Sequence, residues 1–193
     1  RAQIILEIRD CRIPISSINH HIEPLIKNKQ RLIIFNKSDL LTTPQKKRLL
    51  KHISANYRLQ DDNQQLQAPH DIDDAYEAKT SAILADSRGE HSAKRICNVL
   101  KSLSVSAQKW RSLPLMVAVL GFPNVGKSTL INSLRILHRI SGSAQVGKTA
   151  GVTRHISAFK ICQYPLIHVL DTPGIYMPAL TINTDRDIDI GMK

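Results

Sequence analysis

Aromatic residues make up only 4% of this 193-residue chain, with a single tryptophan among them. Unpaired bases are held by stacking on aromatic faces, so the chain is poorly equipped to read single-stranded nucleic acid. Cysteine is also scarce: Cys11, Cys97 and Cys162 stand far apart, odd in number and without a CxxC spacing. That pattern excludes a disulfide framework and predicts three small buried thiols in a reduced compartment, with no structural metal. No apolar run approaches the ~20 residues of a membrane span, which leaves a soluble protein or one peripheral to a membrane. Acidic side chains are outnumbered, 16 Asp and Glu against 27 Lys and Arg, for a formal net charge of +11. Such a surplus either coats a solvated basic surface or neutralises the phosphates of a polyanion, and structured RNA met through backbone and shape suits it better than single strands. There is no internal repeat. The chain opens on Arg1 without a targeting stretch and reads as an excised or processed piece of a longer protein.

What is present is organised around one stretch. The apolar run Leu115 to Leu120 leads into Gly121 to Thr129, reading GFPNVGKST. Glycines there let backbone N–H groups turn inward around phosphate oxygens, Lys127 reaches the outer phosphates, and the Ser128 hydroxyl suits Mg²⁺. A helix beginning at Ser128 aims its positive end at the same anion. Asn124, Val125, Gly126 and Thr129 complete the predicted phosphate loop.

Further polar motifs also follow apolar runs. Ile4 to Ile8 ends in Arg9-Asp10-Cys11-Arg12-Ile13-Pro14, and Arg31 to Phe35 ends in Asn36-Lys37-Ser38-Asp39. Tyr76 to Ala82 reads as a short strand ending in Ser81 and Ala82, and Ile167 to Leu170 leads into Asp171-Thr172-Pro173-Gly174. Helical periodicity covers Ile22 to Lys29, a segment opened by Thr43 and Pro44 and continued from Lys46 to Ile53, Ala93 to Leu103, and Thr129 to Leu137. Ile156 to Ile161 reads as a further strand, and the glycine-bearing stretch from Ser141 to Thr153 has no strong period. Strands alternating with helices predict an α/β fold with a mostly parallel sheet, whose carboxyl edge gathers all these motifs into one site. Residues 59–74 shift to Gln, Asp and Asn and read as a polar surface insertion.

Each motif has a chemical reason. The Asp171 carboxylate suits Mg²⁺, directly or through water. Asp39 can accept two hydrogen bonds from guanine's ring N–H and exocyclic amine, a donor pair adenine lacks, so the site should reject adenine. Asn36 would meet the other edge of the base, Lys37 would lie along its face, and the backbone of Ser81 or Ala82 would meet the guanine oxygen. These are the motifs of a GTPase in permuted order, since the base-reading Asn36 precedes the phosphate loop.

Within that class, the opening DCRIPISS from Asp10 to Ser17, the loop GFPNVGKST, Gly151-Val152-Thr153 and the DTPGI ending at Ile175 resemble the YlqF/RbgA family. That family comprises bacterial ribosome-biogenesis GTPases and their mitochondrial ribosome-associated relatives. Cys11 stands where the family usually has alanine, and Thr149-Ala150 where bacterial members tend to carry Arg-Pro. The resemblance implies a circularly permuted phosphate-loop GTPase fold over residues 1–177, with residues 178–193 leading toward a C-terminal domain. It implies that Lys127 and Ser128 hold phosphate and Mg²⁺, and that Thr153, with Thr149 as the alternative, closes the first switch on the metal. Gly174 would belong to the second switch. Ile175 stands where Ras-like enzymes place a water-orienting glutamine, which implies weak intrinsic turnover and K⁺ assistance through Asn124. The function implied is a GTP-hydrolysing assembly factor for the large ribosomal subunit, monomeric, with ribosomal RNA and proteins as partners. Basicity and the polar insertion favour the mitochondrion, in the matrix or against the inner membrane, over bacterial cytoplasm. The competing reading is a regulatory GTP-binding module with little hydrolysis and no ribosomal role. His138, Arg139, Lys148 and Arg154 either meet RNA or are solvated charge.

Overall fold

The computed structural model describes residues 2–20, 22–26, 29–59, 80–107, 114–138 and 157–171. The short apolar runs of the sequence become strands buried on both faces, as a parallel sheet between helical layers demands. Strand β1 (Ile4–Asp10) is buried throughout, and helix α1 (Glu23–Ile26) leads to β2 (Gln30–Asn36). After a 3-10 turn at Ser38–Leu40 come α2 (Thr43–Asn56), β3 (Arg58–Leu59), β4 (Thr80–Leu84) and α3 (Glu90–Ala107). The chain continues through β5 (Leu115–Leu120), α4 (Lys127–Leu137), β6 (Ser157–Cys162) and β7 (Ile167–Asp171).

The sheet has the order β3-β4-β2-β1-β5-β7-β6, and only the pairing of β6 with β7 is antiparallel. The early strands extend outward from β1 on one side and β5 starts the other half, so the strand order reverses between β1 and β5. A crevice at such a switch point is where open α/β sheets bind ligands.

One apolar cluster joins Ile4, Leu6, Ile8, Leu32 and Ile34 of the sheet to Ile96 and Leu100 of α3 and Leu130, Ile131 and Leu134 of α4. The opposite face carries a second cluster, in which Ile33 and Phe35 meet Leu49 and Ile53 of α2, and a third in which Ile5 meets Ile22 and Ile26. Helices therefore cover both faces and leave the carboxyl edge to the loops.

Several boundaries differ from the sequence expectation for identifiable reasons. Helix α3 extends beyond Ala93–Leu103 at both ends, adding polar turns that carry no apolar period. The cap of α2 is Thr42 rather than Thr43: the Thr42 N–H donates to Gln45 Oε1 at 2.8 Å. Strand β4 runs on to Leu84, because Ile83 and Leu84 continue the pairing with Ile34 and Phe35. Of the expected polar insertion, Leu59 lies in β3 and residues 60–74 fall outside the described residues.

On the α2 face, between the second and third clusters, sits a buried ionic chain. Glu7 accepts from Arg9 Nε at 2.6 Å and from Arg31 Nε at 2.7 Å, while Arg31 also reaches Glu23 at 2.7 and 2.9 Å. Arg9 donates to the Tyr57 hydroxyl at 3.1 Å and lies over the Phe35 and Tyr57 rings. Burial opposes the Arg9 and Arg31 charges, but Glu7, joined by Tyr57 at Arg9 and by Glu23 at Arg31, outweighs it and both guanidinium groups are held above their ordinary range. Removing one partner of a buried pair strands the other charge in low dielectric. Glu7→Gln should therefore cost about 3–5 kcal/mol of stability in a urea titration, and a loss below about 1 kcal/mol would show that water compensates the two guanidinium groups.

Candidate nucleotide site

The phosphate loop is shaped by backbone conformations that only some residues adopt. Gly121 and Gly126 have φ of +146° and +105°, and Asn124, exposed at the loop's tip, is left-handed at 62°. A Cβ on Gly121 would collide with the Ile8 carbonyl of β1, and one on Gly126 would collide with the Asn36 side-chain amide. Val125 plugs the loop into the large apolar cluster. Helix α4 starts directly after Gly126, so its N-terminal N–H groups face the loop's concavity.

Lys127 is only 7% exposed and folds its ammonium over the loop, donating to the Gly121 carbonyl at 3.1 Å and the Phe122 carbonyl at 2.9 Å. Burial lowers its pKa to about 8 against the opposing pull of Asp171. Asp171, at the end of β7, accepts from the Ser128 hydroxyl at 3.4 Å through Oδ2, and its Oδ1 is buried with no protein donor. Burial raises the Asp171 carboxyl above its ordinary range, with Lys127 and Ser128 acting the other way. A buried carboxylate oxygen without a donor, beside a hydroxyl, is a hard-oxygen donor set that fits Mg²⁺. Thr129 follows in the first turn of α4.

The base loop is clamped at three of its four residues. Asn36, 2% exposed, donates from Nδ2 to the Val125 carbonyl at 2.6 Å, and its Oδ1 accepts from the Ser87 N–H at 2.9 Å and the Ser87 hydroxyl at 2.7 Å. One amide proton of Asn36 remains for a base edge, so the side chain can join the two loops and still meet the base. Lys37, left-handed at φ 66°, donates to Asp10 Oδ2 at 2.8 Å, which leaves only its methylene stem to lie along a base. The Ser38 N–H donates to the Ala85 carbonyl at 3.0 Å, and Asp39 presents an exposed carboxylate. Burial alone would raise the Asp10 carboxyl, but hydrogen bonds from Arg12 and Lys37 win and hold it below the usual carboxylate range.

Ser81 and Ala82 do not occupy the edge position expected of them. They pair with Leu32 and Ile33 inside the sheet, three or four residues short of Asn36, which is about 10–13 Å along a strand. The edge beside Asn36 is instead formed by Ala85, Asp86 and Ser87, and the Ser87 carbonyl accepts from Ser133 of α4. Ser87 escaped the sequence reading, although Ile83 and Leu84 signalled that the strand continues past Ala82. Thr149, Thr153, Gly174 and Ile175 lie outside the described residues.

A parallel sheet carrying a phosphate loop at its switch point, with the base-loop strand upstream of it, defines a circularly permuted phosphate-loop nucleotide-binding domain. The family model described as "50S ribosome-binding GTPase" matches residues 116–191. The chain is 30% identical to Mitochondrial ribosome-associated GTPase 1 of Xenopus tropicalis over 98% of this chain and 54% of that protein. It is 34% identical to Mitochondrial GTPase 1 of Schizosaccharomyces pombe, over 92% of this chain and 54% of that protein. Similarity to Short integuments 2, mitochondrial, of Arabidopsis thaliana is 30% over the whole of this chain and 44% of that protein. The fold matches the crystal structure of GNP-bound YlqF from T. maritima with a TM-score of 0.51, at 22% identity, covering 93% of this chain and 55% of that one. The chain thus shares the fold of that YlqF structure and is similar over nearly its whole length to the mitochondrial GTPases named above. It spans about half the length of the curated relatives it matches.

The depressed pKa of Lys127 makes a linkage prediction. A lysine held near 8 is largely charged at pH 7 and largely neutral at pH 9, and binding triphosphate favours its charged form. Nucleotide binding should take up a proton around pH 8, and affinity should fall about tenfold between pH 7 and pH 9. Calorimetry in buffers of different ionisation enthalpy reads this directly; no proton uptake and a flat affinity would contradict it.

Proposed function

We propose that the protein containing this chain is a Mg²⁺-dependent GTPase that assists assembly of the large ribosomal subunit in mitochondria. The observation that carries the nucleotide part is the tie from Asn36 to Val125, which sets the base loop and phosphate loop at one edge. The ribosomal and mitochondrial parts rest on the names of the relatives, Mitochondrial ribosome-associated GTPase 1 and Mitochondrial GTPase 1. Net charge of +11 suits a ribosomal RNA surface.

In this reading Asp39 selects guanine, the loop backbone and Lys127 hold the phosphates, and Ser128 with Asp171 holds Mg²⁺. Mg²⁺ held there would supply positive charge beside the nucleotide's phosphates. GTP would order Thr153 and the Asp171-Thr172-Pro173-Gly174 segment, so that the GTP state would differ from the GDP state in affinity for the ribosome. Ile175 cannot hydrogen-bond to an attacking water, so intrinsic turnover is slow and contact with the subunit accelerates it. Asn124 would hold K⁺, which would supply charge where an arginine finger otherwise does. Residues 1–177 form the GTPase domain, and 178–193 lead to the RNA-binding part of a monomer.

The absence of a hydrogen-bonding group at Ile175 equally favours a regulatory module that binds GTP and scarcely hydrolyses it. Co-sedimentation of the full-length protein with mitochondrial large subunits separates the readings. The assembly reading expects tighter binding with a non-hydrolysable GTP analogue than with GDP, and equal, negligible binding in both states supports the module. For the base, Asp39→Asn should weaken GTP by at least about 100-fold and improve binding of xanthosine triphosphate; unchanged GTP affinity would remove Asp39 from the base site.

A further inference from the structure

Two of the three cysteines that sequence spacing separates come together in the fold. Cys97 of α3 and Cys162 at the end of β6 approach His138, the residue that closes α4. One ligand atom from each lies within 4.8 Å of the other two, and Cys97 Sγ is 3.1 Å from His138 Nε2. Both cysteines are buried in the large apolar cluster, and His138 is half-buried. The Cys162 thiol otherwise has only the Tyr164 carbonyl, at 3.3 Å, as a weak partner.

We propose that Cys97, His138 and Cys162 form a zinc site. Around a tetrahedral zinc with bonds of about 2.0–2.3 Å, neighbouring ligand atoms stand about 3.4–3.8 Å apart. The observed spacing converts to that arrangement with side-chain shifts of about 1 Å or less. Two sulfurs and an imidazole exclude a hard cation such as Mg²⁺ and favour a thiophilic one. On binding, both thiols release their protons to solvent and the two thiolates cancel the dication. The complex is then neutral, as a buried location requires. Three protein ligands leave a fourth tetrahedral position for water or another donor.

The location suggests what such a site does. Helix α4 is about 16 Å long, with Lys127 of the phosphate loop at one end and His138 following its other end. In sequence, His138 immediately precedes and β6 immediately follows residues 139–156, which include Thr149 and Thr153. Zinc would tie the end of α4, from which that segment departs, to α3 and to the far end of β6, independently of nucleotide.

The test is metal analysis of the full-length protein, isolated under reducing conditions without chelator, together with cobalt titration. About one equivalent of zinc is expected at this site, and Co²⁺ should give visible d–d bands of a tetrahedral ion with thiolate charge transfer. Cys162→Ser and His138→Gln should each weaken the metal by at least about 100-fold. His138→Gln alters a half-buried helix end and keeps both thiols, and an unchanged far-ultraviolet circular dichroism spectrum confirms that its loss is not unfolding. The proposal is overturned by a parent protein that binds no zinc, by zinc content that both variants leave unchanged, or by a Cys97–Cys162 disulfide in freshly isolated protein.

Discussion

The Asn36 side chain is the point at which the two halves of the site are joined. Its amide reaches the Val125 carbonyl of the phosphate loop on one side and takes two hydrogen bonds from Ser87 on the other. Neutral hydrogen bonds of this kind contribute only about 1 kcal/mol each, but losing a partner in a buried network costs about 1–3 kcal/mol for every group left unpaired. Gly126 is glycine for the same reason, since a side chain there would fill the space the Asn36 amide needs. A second tie, from Lys37 to Asp10, fixes the base loop against β1. With those contacts made, the base loop is held in a set position relative to the phosphate loop.

Chain order is immaterial to this arrangement. Parallel strands bring their carboxyl ends to one edge whatever their sequence, so β1 and β2 can deliver Asp10 and Asn36 before the phosphate loop is reached. Permutation alters the ends instead: β7, which delivers Asp171, is the last strand among the described residues.

The sheet core and the phosphate loop were legible because their physics is local. Continuous apolar runs such as Arg31 to Phe35 can only be buried strands, and GFPNVGKST carries its geometry in its glycines. The end of β4 was harder, because small residues at Ser81 and Ala82 resemble an edge, and only pairing with Ile34 and Phe35 shows that the strand continues. Asn36 and Lys37 also make contacts to Val125, Ser87 and Asp10 that no spacing rule encodes. Glu7 and Arg9 look like solvent-facing charges in a strand until α2 and Tyr57 cover them. All three thiols are free and buried, as the cysteine spacing implies; the meeting of Cys97, His138 and Cys162 was not legible because α3, the end of α4 and the end of β6 are distant in sequence.

Base discrimination tests the central claim most directly, since a phosphate loop alone would accept any nucleoside triphosphate. Calorimetric titration of the full-length protein with GTP and with ATP, in Mg²⁺, measures it. A carboxylate at Asp39 that must find guanine's two donors predicts GTP binding tighter by at least about 1,000-fold. Comparable affinities for the two nucleotides would contradict the assignment of the permuted loop and return the site to an unselective phosphate-binding cleft.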